Sequence, residues 1–229
     1  MYQFASFVFL SGFLFLLSVL TGFLPIGDPP MLVGQAVQQN AAIDTGSANF
    51  VTSVVLGYRG IDTLGELSIL FAAATGGSLI LSGLNNKKNV TDNSGLILKA
   101  AAELLFPLLL VVGLYIVLHG HLTPGGGFQG GVILAAAFFL PLLVKPSTEI
   151  NHLVLGLIEG FSGAAFIVIG LIALFNDGAF LKPFLEKGQL GQLLSAGTLP
   201  LLYIAVGLKV GAELASLLSH LNQEEADNA

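Results

Sequence analysis

Long runs of apolar residues, several of them the length needed to cross a lipid bilayer, alternate with shorter polar stretches along this chain. A helical span needs about 20 such residues. The runs at residues 4–24, 62–83, 96–118, 130–144, 152–175 and 194–218 meet or approach that length. None shows the period-two alternation of a half-buried strand or the narrow stripe of a soluble amphipathic helix. The pattern predicts an all-α integral membrane fold of about six transmembrane helices. The fourth run is short and follows a glycine-rich break between the third and fourth spans.

The polar punctuation divides the runs. Gly27, Asp28, Pro29 and Pro30 end the first helix, because a proline donates no backbone hydrogen bond. A long extramembrane loop is expected from there to Ile61. Its last part, residues 50–56, is β-branched and reads as an extended or interfacial segment; were it a span, every orientation after it would invert. Residues 85–94, rich in asparagine and carrying Lys87 and Lys88, separate two spans from the other four and mark the expected boundary between a module of residues 1–90 and one of residues 91–229. With six spans, Lys87, Lys88 and Lys145 share a side with both termini, while Arg59, Lys182 and Lys187 lie opposite. The positive-inside rule then favours cytoplasmic termini.

Composition sharpens this picture. Hydrophobic residues make up 54% of the 229 and charged residues only 10%, against about 25% charged in an ordinary soluble domain. The absence of cysteine excludes disulfides, thiolate zinc sites and cysteine-held iron–sulfur clusters. The net charge of −6, with Glu224, Glu225 and Asp227 in the tail, offers no basic surface for nucleic acid. The first run lacks the basic start and small-residue cleavage site of a secretory signal and reads as a retained helix.

Charges inside the spans carry the functional signal, since each costs a few kcal/mol to insert. Lys99 and Glu103 lie four apart in the third span, as do Lys209 and Glu213 in the sixth, so each pair occupies one helix face. Lysine precedes glutamate in both, the weaker order for a surface pair, which hints at partners on neighbouring helices. Glu159 stands about two turns into the fifth span, with no cation nearby in sequence. From the helical rise, Glu103, Glu159, Lys209 and Glu213 all fall roughly 9 to 15 Å from the face carrying the termini, with Lys99 shallower. A layer of carboxylates and ammonium groups is the form an ion relay takes; electrostatic glue between helices is the alternative. Pro107 frees the carbonyl of Glu103 from the helix ladder. On the other face, Asp62 and Glu66 are one turn apart, an oxygen pair suited to a small cation; helix capping is the alternative, which accounts for Asp62 but not Glu66.

Residues 119–131 read His-Gly-His-Leu-Thr-Pro-Gly-Gly-Gly-Phe-Gln-Gly-Gly. No Gly-Lys-Ser/Thr follows, so this is not a phosphate loop. Two readings stand: irregular backbone at membrane depth that lines a cavity, or small residues that let helices approach closely. Histidine is the side chain whose ordinary pKa lies nearest neutral, so His119 and His121 could pass protons, but two positions apart they do not share a helix face as metal ligands would. No nucleophile constellation, cofactor motif or metal cluster is seen, so the chain is not read as an enzyme.

The string from His119 through Pro124, Gly125, Gly126, Gly127 and Phe128 to Gly130 and Gly131 resembles the signature of the MrpB (MnhB) subunit of multisubunit Na+/H+ antiporters. Upstream, Arg59-Gly60-Ile61-Asp62-Thr63-Leu64-Gly65-Glu66 resembles the MbhE-like segment that closes the large MrpA subunit; Ile61 stands where phenylalanine is common. The resemblance implies a fusion of the two modules and a subunit of an Mrp-type cation/proton antiporter, with cation passage at Asp62 and Glu66. It equally implies a structural subunit of a hydrogenase- or sulfur-reductase-type complex containing an Mrp-like module. The implied partners are MrpA-, MrpC-, MrpD-, MrpE-, MrpF- and MrpG-like subunits in a prokaryotic plasma membrane, and a redox module in the second case. Na+ and H+ are the implied cargo, and no cofactor is implied.

Overall fold

The computed structural model describes residues 2–23, 31–82, 94–145 and 150–228, and every regular element among them is helical. In chain order these are α1 (Tyr2–Phe23), α2 (Leu32–Thr45), α3 (Phe50–Thr52), α4 (Gly60–Ser82), α5 (Leu96–Leu118), α6 (Gly127–Val144), α7 (His152–Asp177) and α8 (Leu199–Asn228), with a π-helical segment at Ser53–Tyr58 between α3 and α4. Six of them, α1 and α4 to α8, are long and apolar enough to cross a membrane. The proline break after the first helix and the polar stretch at residues 85–93 lie outside the described residues.

Residues 1–38 and 39–229 form separate compact units. In the first, α1 exposes its described side chains on all sides, as a helix solvated by lipid does. Its Ser11, Ser18 and Thr21 hydroxyls return their hydrogen bonds to carbonyls one turn back, which pairs these three polar hydrogens on an apolar surface.

In the second unit α8 is the hub. It packs against α6, α7 and α4 and more lightly against α5, while α5 pairs with α6. Leu199, Leu202, Tyr203, Val206 and Val210 of α8 form the core with Leu67 of α4, Val117 of α5, Leu134 of α6 and Phe166 of α7. Accordingly 61% of the α8 span is buried, against 22% of the α7 span. Small residues bring the helices this close. A Cβ on Gly130 would meet the Gly113 carbonyl of α5 at 2.8 Å, and one on Gly131 the Gly207 carbonyl of α8 at 2.9 Å.

Local chemistry fixes the helix ends. The Asn151 side chain caps α7 by accepting from the amides of Leu153 and Val154, and Gly178, left-handed at φ 70°, closes it. Pro107 and Pro141 are accommodated within continuous helices.

Four expectations are corrected. The loop expected before Ile61 contains α2, α3 and the π-helical segment. Residues 50–56 are helical rather than extended: Asn49 caps α3 through the Val51 amide, and the hydroxyls of Thr52 and Ser53 find carbonyl partners, which outweighs β-branched propensity. The fourth span starts at Gly127, three residues early, because those glycines pack tightly enough to stay helical. The sixth starts at Leu199 because Ala196 (φ 68°) and Gly197 (φ 58°) adopt left-handed backbone that a helix cannot continue.

Candidate functional site

The charges predicted along α7 and α8 meet. The Lys209 ammonium lies 3.3 Å from Glu213 Oε2, one turn away on α8, and 3.6 Å from Glu159 Oε1 on α7. It also sits 4.9 Å above the ring of Phe71 on α4, which adds a cation–π attraction. The lysine stem runs along α7 past Gly163, with Cδ 3.5 Å from where a Cβ would stand. Three helices thus converge on one ammonium.

The charges do not balance. Two carboxylates face one ammonium, which leaves a formal charge of about −1 when all three are ionised. Glu213 is only 2% exposed, and neither of its oxygens has a hydrogen-bond partner, so Lys209 supplies it with charge alone. A buried carboxylate in that state costs several kcal/mol unless further positive charge reaches it.

Space for that charge exists on both sides. A cavity of about 270 Å³ is lined by Glu159, Lys209, Phe71, Ser68 and small residues of α7. A second of similar size is lined by Glu159, Glu213, Thr75, Ser78, Ser216 and His220. Glu159 and Phe71 border both. Each cavity is large enough for several water molecules or a partly hydrated ion.

Lys99 and Glu103 do not join this cluster. Glu103 is exposed and Lys99 partly exposed on α5, and no ion pair joins them or ties either to the triad. The shared lysine-to-glutamate spacing therefore closes on α8 and stays open on α5. The reason is geometric: α5 packs mainly on α6, which carries no ionisable residue between Gly127 and Val144, whereas α8 packs on α7 and Glu159.

Asp62 and Glu66 are treated differently by the fold. The Arg59 guanidinium holds Asp62, with Nε 2.6 Å from Oδ2, and compensates its charge. Glu66 instead borders a cavity of about 270 Å³ shared with Thr63, Gln129, Tyr203 and the glycines at 125–127. Among the described residues no three acidic or histidine side chains converge on a common metal position.

The glycines of the string divide between two local roles. Gly125 and Gly126, at φ 153° and 133°, form an irregular turn before α6. Gly127, Gly130 and Gly131 are helical and pack against backbone. The turn is stapled from upstream. The Asn49 amide donates to the carbonyls of Gly120 and Thr123, both at 2.8 Å, and Thr52 Oγ1 donates to Gly120. Ser47 Oγ and the Asn49 backbone amide both donate to the His121 carbonyl. These donors satisfy carbonyls left unpaired where α5 ends.

His121 is fully buried: Nε2 lies 3.1 Å from the Gln192 carbonyl and must donate to it, and Nδ1 lies 2.6 Å from the Tyr203 hydroxyl. Burial pushes this imidazole below its ordinary pKa, against the opposing pull of the Gln192 and Leu193 carbonyls. His119 is more open, stacked on Tyr115 at 4.1 Å with Nδ1 on the Tyr115 carbonyl. Sequence reasoning missed Asn49, Thr52 and Tyr203. An asparagine before a short helical turn is a capping signal, but nothing in the sequence shows that its amide reaches residues 120 and 123.

Comparisons agree with this architecture. Residues 97–216 match the family described as a domain related to the MnhB subunit of Na+/H+ antiporter. An uncharacterised protein of Methanocaldococcus jannaschii is 31% identical over 209 residues, covering 77% of this chain and 78% of its own. A putative antiporter subunit mnhB2 of Staphylococcus epidermidis is 33% identical over 96 residues, which span 41% of this chain and 65% of that subunit. Among solved structures, a chain of the membrane-bound sulfane sulfur reductase, described as an archaeal respiratory membrane complex, superposes with a TM-score of 0.77 at 34% identity, over 96% of this chain and 97% of that one. A chain of the Mrp complex from Dietzia sp. DQ12-45-1b superposes with a TM-score of 0.72 at 28% identity, over 95% of this chain but 25% of that longer one.

Proposed function

The chain belongs to the family built on a domain related to the MnhB subunit of Na+/H+ antiporters, and from that membership we propose that it is a multi-pass membrane subunit of an Mrp-type cation/proton antiporter that contributes directly to Na+/H+ translocation. The observation that carries this reading is the Glu159–Lys209–Glu213 triad: a charge-deficient cluster, buried at Lys209 and Glu213 and half-buried at Glu159, between two cavities, where a proton or small cation completes the balance. The chain has no catalytic role of its own. The cavity at Glu66 serves as cation access on the other face, with Asp62 held beside it by Arg59. Its partners are MrpA-, MrpC-, MrpD-, MrpE-, MrpF- and MrpG-like subunits in a prokaryotic plasma membrane. Its termini are cytoplasmic, and residues 1–90 and 91–229 are two fused modules.

The deciding experiment replaces Glu159 or Glu213 with glutamine in the assembled complex and follows Na+-driven proton movement in vesicles. Exchange is expected to be lost while the subunits still co-purify. Native exchange in a normally assembled complex would falsify the reading.

A second reading, a structural membrane subunit of a respiratory complex, is favoured by one observation. The match to the sulfane sulfur reductase chain is full-length in both directions, whereas the matched Mrp chain is far longer. The co-purifying subunits decide between the two: a redox-cofactor module among them selects the second.

A further inference from the structure

Between the triad and the α7 start lies a histidine pair that the proposed function does not use. His220, on α8, and His152, the first residue of α7, have ring centroids 4.7 Å apart. His220 lines the same cavity as Glu159 and Glu213, and Thr75, Ser78 and Ser216 are its other polar liners. His152 is exposed and His220 partly buried, so the pair runs from the outside of the bundle to the cavity mouth.

The hydrogen bonding of His220 fixes which atom can act. Nδ1 lies 2.8 Å from the Ser216 carbonyl, and a carbonyl only accepts, so Nδ1 carries a hydrogen. In the neutral ring Nε2 is then the basic nitrogen. On α8, His220 follows Glu213 by two helical turns, about 10 Å along the axis on the same face, with Ser216 between them. The cavity spans that distance.

We propose that His220, with His152 beside it, is the port through which protons enter the path to Glu213 and Glu159. This rests on the triad being a translocation step. A proton taken from the aqueous side by His152 passes to Nε2 of His220. Nε2 releases it through the cavity to a carboxylate of the triad, and the ring returns to its neutral form. Among the described side chains, the ionisable groups facing this route are His152 and Glu159 on α7 and Lys209 and Glu213 on α8; there α4 contributes only hydroxyl and apolar side chains, and α6 carries no ionisable residue.

The test uses His220→Asn, whose amide still donates to Ser216 but has no basic nitrogen, in the purified complex reconstituted in vesicles. Na+-driven proton movement is expected to fall about tenfold or more, most steeply toward alkaline pH, and to recover when imidazole is added as a soluble proton carrier. Glu213→Gln is expected to lose exchange without imidazole recovery. A His220→Asn complex with the native rate and pH profile, or a loss that imidazole leaves untouched, overturns the port. If that complex does not assemble, His220→Gln is judged by the same two readings. Native exchange by Glu213→Gln overturns the triad reading itself, whereas a dead Glu213→Gln beside a native His220→Asn overturns the port alone.

Discussion

At the scale of single residues, buried polar groups do the specifying, and each has a testable signature. His121 is held neutral by burial, so the unfolded chain protonates first as the pH falls through the ordinary histidine value of about 6.5. The stability it contributes is complete above that value and is lost as the pH drops toward the lowered folded-state value. Thermal unfolding in detergent is therefore expected to show a lower Tm at acid than at neutral pH, with a smaller difference in His121→Gln. Asn49→Ala removes two bonds to the 119–123 turn and the cap of α3. A loss of about 1–3 kcal/mol is expected, read as a lower Tm. Beyond the local cap, these bonds were not legible in sequence, because the distant partners of Asn49 and His121 are more than seventy positions away. Lys209 and Glu213 were legible, since their spacing alone sets one helix face. Glu159 was visible as an anomaly but not as their partner, because a run of apolar residues does not say which face of α7 meets α8.

At the scale of elements, the spanning helices were readable, whereas several of their ends and the short helical segments between residues 32 and 58 were not. Apolar runs long enough to span leave little choice of structure, because every backbone group in lipid must be paired within its own helix. Ends depend on single backbone conformations such as those of Ala196 and Gly197, which composition does not encode. The contact between α5, α6 and α8 depends on glycines as spacers. Gly130→Val would set a side chain against the Gly113 carbonyl and Val117, so a loss of about 1–3 kcal/mol and weaker assembly are expected. Gly156→Ala, which meets nothing within 4 Å inside α7, is the control and should not lower the Tm. The α7–α8 contact depends on charge. Lys209→Met strands two carboxylates and should destabilise by about 3–5 kcal/mol. Adding Glu159→Gln and Glu213→Gln to it should restore much of the lost stability while leaving transport absent, a combination that glue alone would not produce. Co-purification and exchange assays on the single and triple variants separate stability from transport.

At the scale of the whole molecule, the native absence of cysteine makes topology directly measurable. Single cysteines at Lys145 and Lys187 should label with a membrane-impermeant reagent from opposite sides, Lys145 from the cytoplasm and Lys187 from outside. Labelling of both from one side would refute the six-span arrangement with cytoplasmic termini. The staple formed by Ser47, Asn49 and Thr52 also bears on the two-module proposal, because the bonds joining the first module to the 119–123 turn of the second are non-covalent. The chain divided between residues 90 and 91 and co-expressed as two pieces is therefore expected to assemble, and failure of the halves to co-purify would count against a fusion of once-separate subunits. The same bonds set a timetable for biosynthesis. When Asn49 leaves the ribosome, the carbonyls of Gly120 and Thr123 that it will cap do not yet exist. The segment must wait, hydrated, until two further spans have been threaded into the bilayer, and only then can it dry out against them. Its docking marks the moment at which the nascent protein stops being a row of independent helices and acquires a tertiary structure.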